Sequence, residues 1–112
     1  MPIAIAKKKE LGEEIKKQRI KVQMTLRAVA KECDIAPASL SDIENGILFP
    51  GEAAFLRLVE ILRFEDKPKT CDLYAKIKET APPDVTKFLI DNPDAITKVR
   101  QLMQEMPEKE GE

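Results

Sequence analysis

Ser39, Ser41 and Asp42 stand close together in "PASLSDIENG", and the chemistry open to them is hydrogen bonding. A serine hydroxyl donates and accepts, whereas a carboxylate only accepts. Nothing in the chain turns such groups to catalysis. There is no His, which removes the commonest general base and metal ligand. The two cysteines, Cys33 and Cys71, are far apart and cannot build a zinc site between them. No glycine-rich phosphate loop and no nucleophile with an adjacent base is present. An enzyme is therefore not expected, and neither a cofactor nor a metal. The other groups able to recognise a ligand are cations crowded into the first part of the chain: Lys7, Lys8, Lys9, Lys16, Lys17, Arg19, Lys21, Arg27 and Lys31.

The background to these groups is a chain of 112 residues, 43% apolar and 35% charged, a length and balance suited to one compact core with an appended tail. Aromatics make up only 4% and Trp is absent, while Leu, Ile, Ala, Glu and Lys abound, which favours an all-α fold over a sheet. The formal net charge is -1, so an attraction to nucleic acid must come from local asymmetry. Residues 1–64 carry 11 Lys and Arg against 9 Asp and Glu, a balance of +2, and residues 65–112 carry 8 against 11, a balance of -3. A division follows, with a mildly basic domain at 1–64 and an acidic helical extension at 65–112. Cys33, on an apolar helix face, is expected as a buried free thiol. "MPIAIAKKK" places its charges after a very short apolar run, the wrong order for a secretory signal, and nothing approaches a membrane span. A cytoplasmic protein without a membrane partner is expected.

The elements that must hold the polar groups follow from apolar spacing. Leu11 and Ile15 among charged residues describe an amphipathic helix from about Lys8 to Val22. Thr25 serves as an N-cap, and Leu26, Val29, Ala30 and Cys33 form the inward stripe of a short second helix. "CDIAP" is a turn with Ile35 as its buried plug, and Pro37 suits the first turn of a third helix. Leu40 and Ile43 face inward there, and Asn45-Gly46 stops it. Phe55, Leu58, Val59 and Leu62 mark a fourth helix from about Glu52 to Leu62. A fifth carries Leu73, Tyr74 and Ile77 and ends before Pro82-Pro83. A short sixth covers Asp84 to Ile90, and Pro93 opens a seventh with Ile96, Val99, Leu102, Met103 and Met106 on one side. "PEKEGE" is read as a frayed end.

From Leu11 to Leu62 the sequence resembles the Cro/repressor-type (xenobiotic-response-element-like) helix-turn-helix transcriptional regulators of bacteria and phages. The resemblance rests on "LGEEIKKQR", "TLRAVAKECDIAPASLSDIENG", the Pro50-Gly51 break and "FLRLVEIL". It implies a lambda-repressor-like bundle of four or five helices with the third in the major groove. In the family's register the groove-facing residues are Pro37, Ala38, Ser39, Ser41 and Asp42. Ser can bond to a phosphate or several base edges, Ala can touch a thymine methyl, and Asp can accept from the cytosine amino group. The phosphate set is Lys7, Lys8 and Lys9 as an N-terminal arm, with Thr25, Arg27 and Asn45. Arg19 and Glu44 match a structural ion pair that fixes the third helix on the first. Read without the family, that pair is two solvated surface charges and Asn45 is a C-cap. Two positions after Gly46 that relatives often fill with basic residues are Ile47 and Leu48 here, which removes a phosphate clamp.

The tail resembles, more loosely, the extension of a subgroup of these regulators, through Leu73-Tyr74, Pro82 to Val85 and Phe88 to Asn92. In that subgroup the extension is associated with dimerisation, and some members are encoded beside a metallopeptidase that cleaves them. Independently, Phe88, Leu89, Ile96, Val99, Leu102, Met103 and Met106 offer more apolar surface than a short tail can bury alone, and they form the expected dimer interface. Ile20, Ile47 and Leu48 are apolar where exposed residues are usually polar, and a cluster of that kind indicates a protein contact.

Two readings follow. The first is a sequence-specific, homodimeric DNA-binding repressor of the phage or mobile-element immunity kind, placing the helix Pro37–Asn45 in the major groove of a palindromic operator in double-stranded DNA. The second is an interaction module of the same fold, antitoxin-like or bound to a protein regulator, with weak or no specific DNA binding. Asp42 in the groove and the missing basic pair favour the second; the intact turn and the basic first helix favour the first.

Overall fold

The computed structural model describes residues 2–106, with side chains from residue 7 onward. Within them the chain is all-helical: α1 (Pro2–Lys21), α2 (Leu26–Glu32), α3 (Pro37–Glu44), α4 (Glu52–Leu62), α5 (Lys67–Lys78), α6 (Pro83–Asp91) and α7 (Asp94–Glu105). The expected elements are all present, and α4 has the expected limits. The first helix differs. It begins six residues before Lys8, so Lys7 joins Lys8 and Lys9 on the helix and the N-terminal arm expected of these three lysines is helical. Pro2 can occupy a first turn without losing a hydrogen bond, and the alanines and lysines behind it favour helix over extended chain.

Leu11 and Ile15 of α1, Val29, Ala30 and Cys33 around α2, Leu40 and Ile43 of α3, and Phe55, Leu58, Val59 and Leu62 of α4 form one buried cluster. Ile35 is only half-buried, packed at the edge of that cluster rather than plugging it. The cluster does not stop at residue 64. It continues into α5, where Cys71 and Tyr74 are fully enclosed. The Tyr74 ring stacks on Phe49 and Phe55 with centroids 4.7 and 4.4 Å away. Its hydroxyl donates to the Pro50 carbonyl at 3.0 Å, so the polar tip of the only tyrosine is satisfied inside the core. Leu73 and Ile77, expected to face inward, are half-buried, because the inner stripe of α5 runs through Cys71, Tyr74 and Ala75. Pro83 at the start of α6 is also buried, whereas α7 buries no residue at all.

Burial pushes both cysteine thiols and the Tyr74 phenol above their ordinary values, since each charged form would lose its hydration. The two free thiols are thus enclosed and protonated, the unreactive condition of a small core residue.

Gly12 decides how closely α1 approaches α3. A Cβ on it would lie 2.6 Å from the Glu44 carbonyl oxygen and closer still to that of Ile43. Backbone oxygens cannot move aside as a side-chain tip could, so Gly12→Ala is expected to cost about 1–3 kcal/mol of stability. A urea midpoint equal to that of the unaltered protein would show that the helices can separate freely. No helix among the described residues is long and apolar enough to cross a membrane.

Candidate nucleic-acid interface

The second and third helices and their turn are built from local signals that the packing then locks. Thr25 is extended, and its hydroxyl oxygen accepts from the Ala28 N–H at 3.1 Å, capping α2. The turn passes through Asp34 in the left-handed region at φ 57°, which Asp tolerates better than most residues. Within it the Ile35 N–H donates to the Ala30 carbonyl at 3.0 Å. Arg57 reaches across from α4 and donates to the Cys33 carbonyl at 3.2 Å. At its far end α3 is closed by Asn45 and by Gly46 at φ 76°, a conformation that suits glycine.

Leu40, Ile43 and Glu44 line the buried face of α3. At 100° per residue, Ala38, Asp42 and Asn45 lie opposite that face, with Ser41 and Ser39 flanking them. Pro37, Ala38 and Asn45 are exposed; Ser39, Ser41 and Asp42 are half-exposed. Four of the five groove candidates, Ala38, Ser39, Ser41 and Asp42, therefore share the free side of one short helix, while Pro37 is exposed at its first turn on the flank nearer Glu44. The Asp42 carbonyl oxygen accepts from the Ile47 and Leu48 N–H groups at 2.9 and 3.2 Å, folding the following loop back on the helix end.

Arg19 and Glu44 are brought together. The Arg19 Nε donates to Glu44 Oε2 at 2.6 Å and a second guanidinium nitrogen donates to Oε1 at 3.1 Å. A third arm of the same group donates to the Met24 carbonyl at 3.0 Å. These bonds to Glu44 hold the guanidinium even more firmly protonated than usual. The side chains are 13% and 4% exposed, so the pair is a partly buried fork that ties α3 to α1 and to the turn between α1 and α2.

The phosphate candidates fall at two ends of this unit. Thr25 and Arg27 are exposed at the start of α2, and the Thr25 hydroxyl, already accepting as a cap, keeps its own proton to donate. Asn45 lies at the end of α3. Lys9 is exposed beside that end, while Lys7 and Lys8 are half-exposed. Of the expected tail interface, Phe88, Val99, Leu102, Met103 and Met106 are exposed, Phe88 by 57% and the last two methionines by 65% each. Leu89 and Ile96 are half-buried within their own chain, and Val85 and Ile90 are exposed in addition.

Ile20, Ile47 and Leu48 are all exposed, Ile47 by 72%, but they do not form one cluster. Gly46, next to Ile47, abuts Lys9, whereas Ile20 lies eleven residues further along α1, about 16 Å away at 1.5 Å per residue. Sequence reasoning also passed over the residues that position α3. Gly12 could have been found as an isolated glycine inside a helical pattern. Arg57 carries no such signal. Nor does Gln18, whose amide donates to the Leu62 and Arg63 carbonyls at 2.8 and 3.2 Å and pins α1 to the end of α4.

Residues 10–69, more than half of the chain, match the family model of the helix-turn-helix domain, covering α1 from its middle to the first turn of α5. No curated protein and no solved structure matches the chain.

Proposed function

Because this chain belongs to the helix-turn-helix domain family, a family that points to DNA-binding regulators, we propose that it is a sequence-specific repressor acting as a homodimer on a palindromic operator. The observation that carries this reading is the free side of α3, where Ala38, Ser39, Ser41, Asp42 and Asn45 are open to a partner while Leu40, Ile43 and Glu44 anchor the opposite side. Pro37, Ala38, Ser39, Ser41 and Asp42 meet base edges in the major groove, and Lys7 to Lys9, Thr25, Arg27 and Asn45 meet phosphates on either side. The mechanism is occupancy of a promoter by binding alone.

Each α3 brings weak readers, without an Arg or Gln that could bond a base in bidentate fashion, so one subunit discriminates poorly. Two subunits multiply that discrimination. The exposed apolar side chains of α6 and α7 supply the pairing surface, and two-fold symmetry then sets half-sites about 34 Å apart, one turn of the duplex.

The interaction-module reading is favoured by one observation, that the free stripe of α3 includes the carboxylate Asp42 and is followed by exposed Ile47 and Leu48. Fluorescence anisotropy separates the two, with the DNA upstream of the protein's own gene and a scrambled duplex as probes at low and near-physiological salt. A repressor is expected to prefer the upstream DNA and to retain binding at the higher salt. Equal binding to both, erased by salt, would leave only phosphate attraction and would move the function to a protein partner. Sedimentation equilibrium should meanwhile report a dimer, and a Phe88→Glu/Leu102→Glu variant a folded monomer.

A further inference from the structure

The C-terminal end of α3 lacks cations of its own. Its last turn holds no basic residue, and the chain that follows reads Asn45, Gly46, Ile47, Leu48. A DNA backbone passing that end would meet an amide and two apolar side chains, with the carboxylate of Asp42 one turn back. The structure brings another element to this place. Gly46 is packed directly on α1: a Cβ on it would sit 2.6 Å from Lys9 Cγ, 2.9 Å from Lys9 Cα and 3.1 Å from the Lys9 nitrogen. The left-handed φ of Gly46 and the absence of its side chain are what allow this approach.

Lys9 is exposed and has no ion-pair partner among the described residues. It stands on a helix, so its backbone has no freedom left to lose when a ligand binds, unlike a lysine on a flexible arm. It lies within α1, one residue ahead of the first residue of the family match.

We infer that Lys9, carried on the extended first helix, is the phosphate clamp for the C-terminal end of α3, doing from α1 what the α3–α4 loop cannot do with Ile47 and Leu48. The inference rests on the DNA-binding reading and adds to it a division of labour: α3 reads, and a separate helix holds the strand against its far end. Lys9 and Asn45 then grip the backbone at the same end of the reading helix, and Thr25 with Arg27 grips it at the start of α2.

The test is a salt titration with a labelled duplex of mixed sequence, since phosphate attraction does not depend on sequence. Four full-length proteins are compared: the unaltered chain, Lys9→Gln, Lys76→Gln on α5 as an equal loss of charge elsewhere, and Lys9→Gln/Ile47→Lys. Lys9→Gln is expected to bind severalfold more weakly at low salt, and its plot of log affinity against log salt should be shallower by about 0.9 per subunit, the value of one phosphate contact. Lys76→Gln should keep the original slope, and Ile47→Lys should restore it in the Lys9→Gln background by returning a cation to the same place. An unchanged slope in Lys9→Gln, with only a lower Tm, would overturn the inference and leave Lys9 as a counter-charge to the carbonyl end of α3. Equal slope losses in Lys9→Gln and Lys76→Gln would overturn it as well, as a general effect of charge. Absence of binding by the unaltered protein even at low salt would overturn the DNA reading together with the inference.

Discussion

A chain cut after residue 64 is expected to lose its cooperative fold, although the cut falls where charge and composition divide the sequence. Tyr74 and Cys71 are fully enclosed, and both belong to the same buried cluster as Leu11, Leu40 and Phe55. Tyr74 covers Phe49 and Phe55 by stacking and closes the Pro50 carbonyl with its hydroxyl. Losing one buried aromatic costs about 3–5 kcal/mol. Loss of α5 removes Cys71 and the half-buried Leu73 and Ile77 as well. The total approaches or exceeds the roughly 5–15 kcal/mol that holds a typical domain together. Residues 1–64 should therefore show partial helicity by circular dichroism with no sigmoidal melt, while Tyr74→Ala in the full chain melts cooperatively at a lower temperature. A fragment that melts like the whole protein would reduce α5 to an appendage and place the domain boundary at 64 after all.

Glu44→Ala should be the most damaging single substitution near the reading helix, lowering stability by about 3–5 kcal/mol. The carboxylate is 4% exposed and accepts two hydrogen bonds from Arg19. Truncating it strands a guanidinium that is itself 13% exposed and keeps only its bond to the Met24 carbonyl. The penalty is mainly that of a poorly hydrated charge left without its partner, which differs from the net worth of the pair. The two can be told apart. Arg19→Met/Glu44→Leu should recover much of the loss, because two apolar groups of similar volume demand no hydration. Urea denaturation reads both variants through the midpoint at constant m. A loss below about 1 kcal/mol for Glu44→Ala would be that of a solvated surface pair and would contradict the anchoring role. In the double variant, DNA affinity measured beside stability shows whether the fork also orients α3: restored stability with weakened binding is the expected result.

Much of this molecule was legible in its sequence because the signals were local. Thr25 before Leu26, Pro37 in a first turn, Asn45-Gly46 and the Pro82-Pro83 pair each act on their own few residues, and the helices begin and end by them. The free stripe of α3 was legible for a related reason, since the helical period that buries Leu40 and Ile43 leaves Ala38, Asp42 and Asn45 outside. The start of α1 was missed because "MPIAIA" has no polar face to set a period, although its propensity is helical.

What the sequence by itself determined, then, is the string of helices, the turn between the second and third, the stripe that faces outward and the membership of a helix-turn-helix family. What only the tertiary structure decided is which helices meet and how closely: Gly12 against the backbone of α3, Gly46 against Lys9, Tyr74 under Pro50 across the compositional divide, and α7 with its apolar side uncovered. The reason is one of range. Capping, propensity and periodicity act over a turn or two of chain, whereas the choice among several apolar stripes competing for one core is settled by shape and volume between segments distant in sequence.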